Sequence, residues 1–534
     1  MKPSHLLTLS TFSSLASLAA ADWQFRSRPD LSIPKLNITV PANRQAVGKG
    51  LIFVAPYEGY LDGHKGPIQP GAYIYRDDGE LVWSGLGYHA GWVSNFRPDD
   101  WNGKPHLRAF QGTLDPVRGG RMYGFHTLLG NDYQVAKIVS VGSHRLVSAH
   151  EFRIVGGKTA LIETPIPRTV SLRRWGGDDE QNWIISGGLQ EIDIESGEVL
   201  FEWESFDHVD PKYSAFPLDF GEGLPGSGRN ESHAWNYFHV NSVDKDDEGN
   251  YLVSARHIGA VFKINGTSGD IIWQLGGLNG GSSFSISDED RFAYQHHARF
   301  RGRSRDGTIE TLSLFDNGAY SASVKTHPFS RARIIQINHT DGTAKAIQTF
   351  DAPDGLSAHT QGSIQILPND NAFVNWGEAG AVTEFSPEGE VLFHSYLDSE
   401  PVGSLVQSYR GFRAEWTATP AEEPAVVAFN VDNGPGLDIY VSWNGDTETR
   451  IWRFYGRSEE ESQPVLLGEV ERSGFETHAK LREVPAEVAF VSAESLGSSG
   501  EVLRRARVVR ISSDDGRPSS PLPLNPQADR IEEL

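Results

Sequence analysis

Ser268-Gly269-Asp270-Ile271-Ile272-Trp273 is a tight turn running into an apolar strand, and the chain repeats the phrase. Copies stand at Asp78-Gly79-Glu80-Leu81-Val82-Trp83, Ser196-Gly197-Glu198-Val199-Leu200-Phe201 and Glu388-Gly389-Glu390-Val391-Leu392-Phe393, with a weaker one at Asp341-Gly342. A polar residue followed by glycine accepts the positive φ of a hairpin turn. Alternating strands precede several copies, as at Tyr251–Arg256, Thr311–Asp316 and Ala372–Trp376. Ahead of those strands lies a histidine phrase: Ser148-Ala149-His150-Glu151-Phe152, Tyr237-Phe238-His239-Val240-Asn241, Tyr294-Gln295-His296-His297-Ala298 and Ser357-Ala358-His359-Thr360-Gln361. The spacings are 89, 57 and 63 residues, the first lengthened by an insertion from Pro165 to Asn182. A unit of ~60 residues holding about four strands is the size of a propeller blade. About six such units fit between residues 45 and 415. The expected fold is all-β, a six-bladed β-propeller. A series of β-sandwiches is the alternative, but it would not return the histidine phrase to one place in each unit.

Beyond Pro420 the pattern changes. An acidic, proline-bounded linker at Ala421–Pro424 leads into short alternating strands such as Tyr440–Trp443 and Ile451–Phe454. The expected domains are a propeller over residues 22–418, a small β-sandwich-like domain over 419–512 and a flexible tail over 513–534. At the other end, Lys2 precedes a charge-free stretch from Leu6 to Ala21 that closes on three alanines, which reads as a signal peptide over residues 1–21. The sequons at Asn37, Asn230, Asn265 and Asn338 agree with a secreted glycoprotein. Of 534 residues, 48 are basic and 70 acidic, a net charge of −22 that argues against nucleic acid or an anionic membrane as partner. No later run reaches the ~18 apolar residues of a membrane span. Cysteine is absent, which excludes disulfides, thiol nucleophiles and cysteine-bound metal. The oligomeric state is left open.

The innermost strand of each blade lines a propeller's axis. His150, His239, His296 and His359 are therefore expected to meet at one mouth, joined by Arg256-His257. His89, His126, His208, His394 and His478 lack that placement and read as structural. Such a cluster could bind a transition metal, attack an electrophile while a second imidazole manages protons, or hold an anion. No metal is expected, because strand alternation turns Glu151 away from His150 and there is no H-E-x-x-H. Arginine beside histidine favours a sulfate or phosphate group, whose oxygens its planar fork matches. A glycine-rich phosphate cradle is lacking, so neither a nucleotide donor nor another cofactor is implied.

These residues carry a resemblance. Trp235–Asp244, Leu252–His257, Ile272–Gly277, Gln295–Phe300 and Gln361–Asn369 resemble motifs of the fungal branch of the arylsulfotransferase family, secreted six-bladed propellers. The likeness runs from about Phe25 to about Phe475. It implies nucleotide-independent sulfuryl transfer between phenolic compounds through a sulfohistidine, on a small aromatic substrate. By motif, His296 resembles the nucleophile and Arg256 the holder of the sulfuryl oxygens. His239 and Asn241 resemble the sulfate-binding and proton-handling pair, and His150 a further pocket histidine. His257, His297, His359 and Trp376 are expected to contact substrate. The chain departs from bacterial relatives in lacking their disulfide and in doubling the histidine at 296 and 297. Two other functions stay open on the same residues: a non-covalent cyclase or pericyclic catalyst of secondary metabolism, and an extracellular binding module.

Overall fold

The apolar runs form antiparallel strands joined by turns. The computed structural model describes residues 22–59, 66–115, 121–218, 226–397, 406–431 and 435–512; the expected signal peptide and tail lie outside them. Helical content among the described residues is confined to short 3-10 turns.

Among the described residues, six sheets of four or five strands make up the larger unit. The second blade runs in order from Trp92–Trp101 through Lys104–Asp115 and Arg121–Leu129 to Val135–Val139. The third, fourth, fifth and sixth blades repeat this order from innermost strands Phe152–Val155, Val240–Lys245, His296–Arg303 and Ser363–Ile366. The first blade takes its innermost strand, Gln407–Ala414, from the far end of the unit and pairs it with Leu51–Tyr57. Each innermost strand contacts that of the next blade, and the last contacts the first, so the ring of a propeller is closed. The repeated turn phrase has a fixed place in it. Gly79, Gly197, Gly269 and Gly389 all have positive φ and sit at the turn into the fourth strand of their blades, counted from the axis. The weaker copy at Gly342 also leads into the fourth strand, in the fifth blade.

Apolar side chains pack between neighbouring blades. Leu161, Leu189, Val243 and Val253 join the third to the fourth, and Leu252, Val261, Leu312 and Leu314 the fourth to the fifth. Burial of each such side chain stabilises by roughly 1.5–3 kcal/mol. Trp376 belongs to this core. It is fully buried, packs on Phe315 and Phe385, and donates from Nε1–H to Thr383 Oγ1 at 2.7 Å. The expected substrate contact of Trp376 is therefore corrected: it holds the fifth and sixth blades together.

The strands between Ala425 and Arg510 form two further sheets, Ala425–Asn430 with Leu437–Ser442 and Glu476–Leu481, and a second around Ile451–Arg457 and Phe490–Leu496. Their facing sides bury Val441, Trp443, Trp452, Phe454 and Val491, as in a small sandwich. This unit docks on the first two blades. Asn444 exchanges two hydrogen bonds with the Ser84 backbone, at 2.8 and 2.9 Å, and Tyr133 O–H donates to the Gly445 carbonyl at 2.9 Å. Gly445 has φ 92°, and a Cβ there would come within 2.5 Å of Trp83 and 2.4 Å of Tyr133.

Candidate functional site

The site is built where the chain enters the innermost strands, and β-bulges decide which way each side chain turns. Register shifts interrupt the ladders at Ser94/Arg97, Val240/Ser242, His296/Arg299 and Ser408/Gly411. Asn95, His239, His297 and Gln361 have positive φ near these entrances, a conformation that non-glycine residues hold only when their surroundings enforce it.

His150, His239 and His257 form a contiguous group. The His150 and His239 rings are 4.9 Å apart and nearly perpendicular, and those of His239 and His257 are stacked at 4.5 Å. Tyr409 bridges His150 to His296, at ring distances of 5.7 and 6.4 Å. Arg256 closes the group from the other side. Its Nη1 donates to His257 Nε2 at 2.9 Å and its Nη2 to the His359 carbonyl at 2.9 Å, while its guanidinium lies 4.9 Å from the Tyr320 ring centre. Each terminal nitrogen keeps a second N–H, and the buried Nε–H has no acceptor.

The hydrogen bonds assign the tautomers. His257 donates from Nδ1–H to the Asn236 carbonyl at 2.6 Å, leaving Nε2 to accept from Arg256. The Asn236 amide donates to His239 Nδ1 at 3.0 Å, which puts the proton of the neutral ring on Nε2. His296 donates from Nδ1–H to Asn317 Oδ1 at 2.7 Å, and its Nε2 lone pair accepts only a long 3.2 Å bond from the Gln361 N–H. Asn317 is itself held by donation to the carbonyls of Ala358 and Gln361. Burial, then the neighbouring His257, His150 and Arg256, hold His239 well below the ordinary imidazole value of 6.5. Burial followed by Arg256 does the same to His296 and takes His257 down to about 3. His239, His257 and His296 are thus neutral at pH 7, beside a fixed positive charge.

His150 faces the narrow cleft of about 50 Å³ at the mouth, lined also by Met122, Glu163, Pro165, Pro167 and His239. Its Nδ1 lies 2.8 Å from Ser148 Oγ and 3.5 Å from Glu163 Oε2. Pro165 and Pro167 come from the sequence insertion, which is a lengthened hairpin of Thr159–Thr169 on Trp183–Asp193 that walls the cleft.

Three expected residues stand elsewhere. Asn241 is fully buried and donates its amide to the Gln295 carbonyl at 2.6 Å, tying the fourth blade to the fifth, so that donor is not presented to the histidines. His297 is parted from His296 by the bulge and lies against Phe412, 5.8 Å between ring centres, among Arg299, Arg410 and Arg97. The His359 ring turns to Glu378, 3.3 Å from Nδ1, and only its carbonyl serves Arg256. Glu151 points away from His150, as alternation requires, and is a buried axial anion bound by Arg299 at 2.7 Å and Arg410 at 2.9 Å.

Sequence reading missed Asn317, Asn236, Glu163 and Tyr409. A signal existed for Asn317, which ends its strand as Arg256 does one blade earlier. Glu163 and Tyr409 carry no such mark. Among the described residues, no group of three or more His, Asp or Glu is arranged to hold a metal ion. All four sequon asparagines are at least partly exposed.

No curated protein matches the chain. Among solved structures, a protein of unknown function from Bacteroides caccae is 12% identical, with 68% of this chain and 98% of that chain covered and a TM-score of 0.36. A catalytically inactive virginiamycin B lyase from Staphylococcus aureus is 10% identical, with coverages of 66% and 93% and a TM-score of 0.29. The Dos1 propeller is 8% identical, with coverages of 76% and 91% and a TM-score of 0.26. Scores this low transfer no residue role. A family model for arylsulfotransferases (ASST) matches residues 102–397, which include His150, His239, Arg256, His257 and His296. That match spans more than half of the chain, and the chain belongs to the arylsulfotransferase family.

Proposed function

We propose that the protein is a secreted enzyme of nucleotide-independent sulfuryl transfer between phenolic compounds, acting through a sulfohistidine at His296. The observation that carries the reading is His296 itself: a buried neutral imidazole whose Nδ1–H is fixed by Asn317 and whose Nε2 lone pair has only one long, replaceable donor. In the first half-reaction Nε2 attacks sulfur, the S–O bond to the donor breaks, and the phenolate leaves with a proton from the His150 imidazolium. Glu163 Oε2 lies 3.5 Å from His150 Nδ1. In the second half, neutral His150 takes the acceptor phenol's proton, the phenol oxygen attacks sulfur, and the N–S bond breaks. His239 Nε2–H and Arg256 donate to the sulfuryl oxygens, which carry charge throughout. The Gln361 N–H, released from Nε2, is placed to donate to one of them.

The cyclase reading needs a pocket that encloses a whole skeleton, commonly ~300–1,000 Å³. The cleft beside His150 and His239 is about 50 Å³, room for a sulfuryl-sized group with the aryl ring outside it; His296 is not part of its lining. Secretion is supported by the residue pattern of the first 21 positions and by sequon asparagines that are at least partly exposed. The test is incubation with an aryl sulfate and a phenol acceptor, with mass spectrometry for an 80 Da adduct, roughly one SO₃, on the His296 peptide. Loss of both adduct and transfer in His296→Ala is expected. Turnover undiminished in that variant would overturn the mechanism.

A further inference from the structure

Glu151 divides the axis, and a second polar cluster lies beyond it. Three carboxylates face this lower half. Asp99 pairs with Arg108 at 3.0 Å, Asp244 with Arg153 at 2.6 Å, and Glu151 is shared by Arg299 and Arg410. Five guanidiniums gather around these three carboxylates; among the described residues Arg97 forms no ion pair, and Asp99, already bonded to Arg108, is its leading acidic neighbour. The Arg97 Nε–H donates to the Pro98 carbonyl at 3.1 Å and its plane lies 4.7 Å from the Phe412 ring centre. Among the described residues its terminal nitrogens make no hydrogen bond. On the same Phe412 sits His297, 4% exposed, whose buried Nδ1 has no partner. The backbone holds that ring there at a φ of 54°, in the left-handed region.

We propose that this lower half of the axial channel, around Arg97, Arg153 and His297, is a second site that binds a tetrahedral oxyanion such as sulfate. Guanidinium forks match the oxygens of an oxyanion, and those of Arg97 are without an ion pair among the described residues. The orphaned His297 nitrogen supplies one further hydrogen bond. The site is separate from the histidine mouth and does not rest on the catalytic reading.

The experiment is calorimetric and thermal titration of the full chain with sodium sulfate against sodium chloride at constant ionic strength. Wild type and Arg256→Met are expected both to bind sulfate and to gain thermal stability beyond that in chloride. In Arg97→Met the affinity of this site is expected to fall about tenfold or more, as for loss of a charge-assisted fork. Should Arg97→Met not fold, Arg153→Met, whose side chain is 39% exposed, replaces it with the same expectation. Binding lost in Arg256→Met but unchanged in the lower-site variants would place all sulfate at the mouth and overturn the proposal. So would wild type showing no preference for sulfate over chloride. Failure of sulfuryl transfer would leave this result untouched, since the titration needs no turnover.

Discussion

Glu151→Gln is expected to destabilise the propeller by roughly 3 kcal/mol at pH 7. The carboxylate is fully buried and lies between Arg299 and Arg410, and it also accepts from the Phe152 and Val243 backbone N–H groups at 3.0 and 3.1 Å. Burial alone would raise its pKa, but the two guanidiniums outweigh burial and hold it at about 2, against an ordinary 4.5. That difference, at about 1.4 kcal/mol per pH unit, corresponds to roughly 3 kcal/mol. Breaking a buried pair by removing one partner costs about 3–5 kcal/mol, in agreement. Glutamine keeps the volume and leaves both arginines without their counter-ion. Because the folded value is depressed, the contribution is present above pH 4.5 and is lost as the pH falls towards 2. Urea unfolding followed by tryptophan fluorescence measures both effects. The wild type should lose stability across that window, and Glu151→Gln should lack this component of the slope. A variant within 1 kcal/mol of wild type (roughly the net value of one ordinary hydrogen bond), or one with an unchanged acid slope, would refute the reasoning.

Other outcomes follow from the same geometry. Asn317→Ala removes the acceptor of His296 Nδ1–H, a bond that strengthens as the ring gains positive charge. A fall in kcat/KM of about 10- to 100-fold is expected, corresponding to ~1.5–3 kcal/mol, and steady-state kinetics on an aryl sulfate measure it. A change under twofold in a folded variant would remove Asn317 from the mechanism. The acid limb of the pH–rate profile should lie well below pH 6.5, because burial and Arg256 depress the His296 pKa and protonation would block the lone pair. An acid limb near 6.5 would contradict that placement. Trp376→Phe should lower stability by about 1 kcal/mol through the lost Thr383 bond and leave KM unchanged; a raised KM would return Trp376 to the pocket.

Much of the β architecture was legible because local chemistry wrote it repeatedly. The glycines of the turn phrase mark the turn into the fourth strand from the axis in every blade where the phrase occurs. The histidine phrase was legible for the same reason, since equivalent positions in repeats become neighbours around an axis. Trp376 misled because the end of a second strand can face either the mouth or the seam between blades. Asn241 misled because an amide one bulge further along bonds to the next blade instead of the pocket.

The sequence by itself determined the strands, the turns and the set of imidazoles and guanidiniums available near the axis, since these depend on residue type and repeat spacing. The tertiary structure alone decided their division into two groups. A bulge turns His296 and His297 to different surroundings, the buried pairs of Glu151 separate mouth from lower channel, and Asn317, Glu163 and Tyr409 arrive from distant parts of the chain. Orientation across a bulge and the charge of a buried group depend on what packs against them, and neighbours brought by ring closure leave no trace in the local pattern.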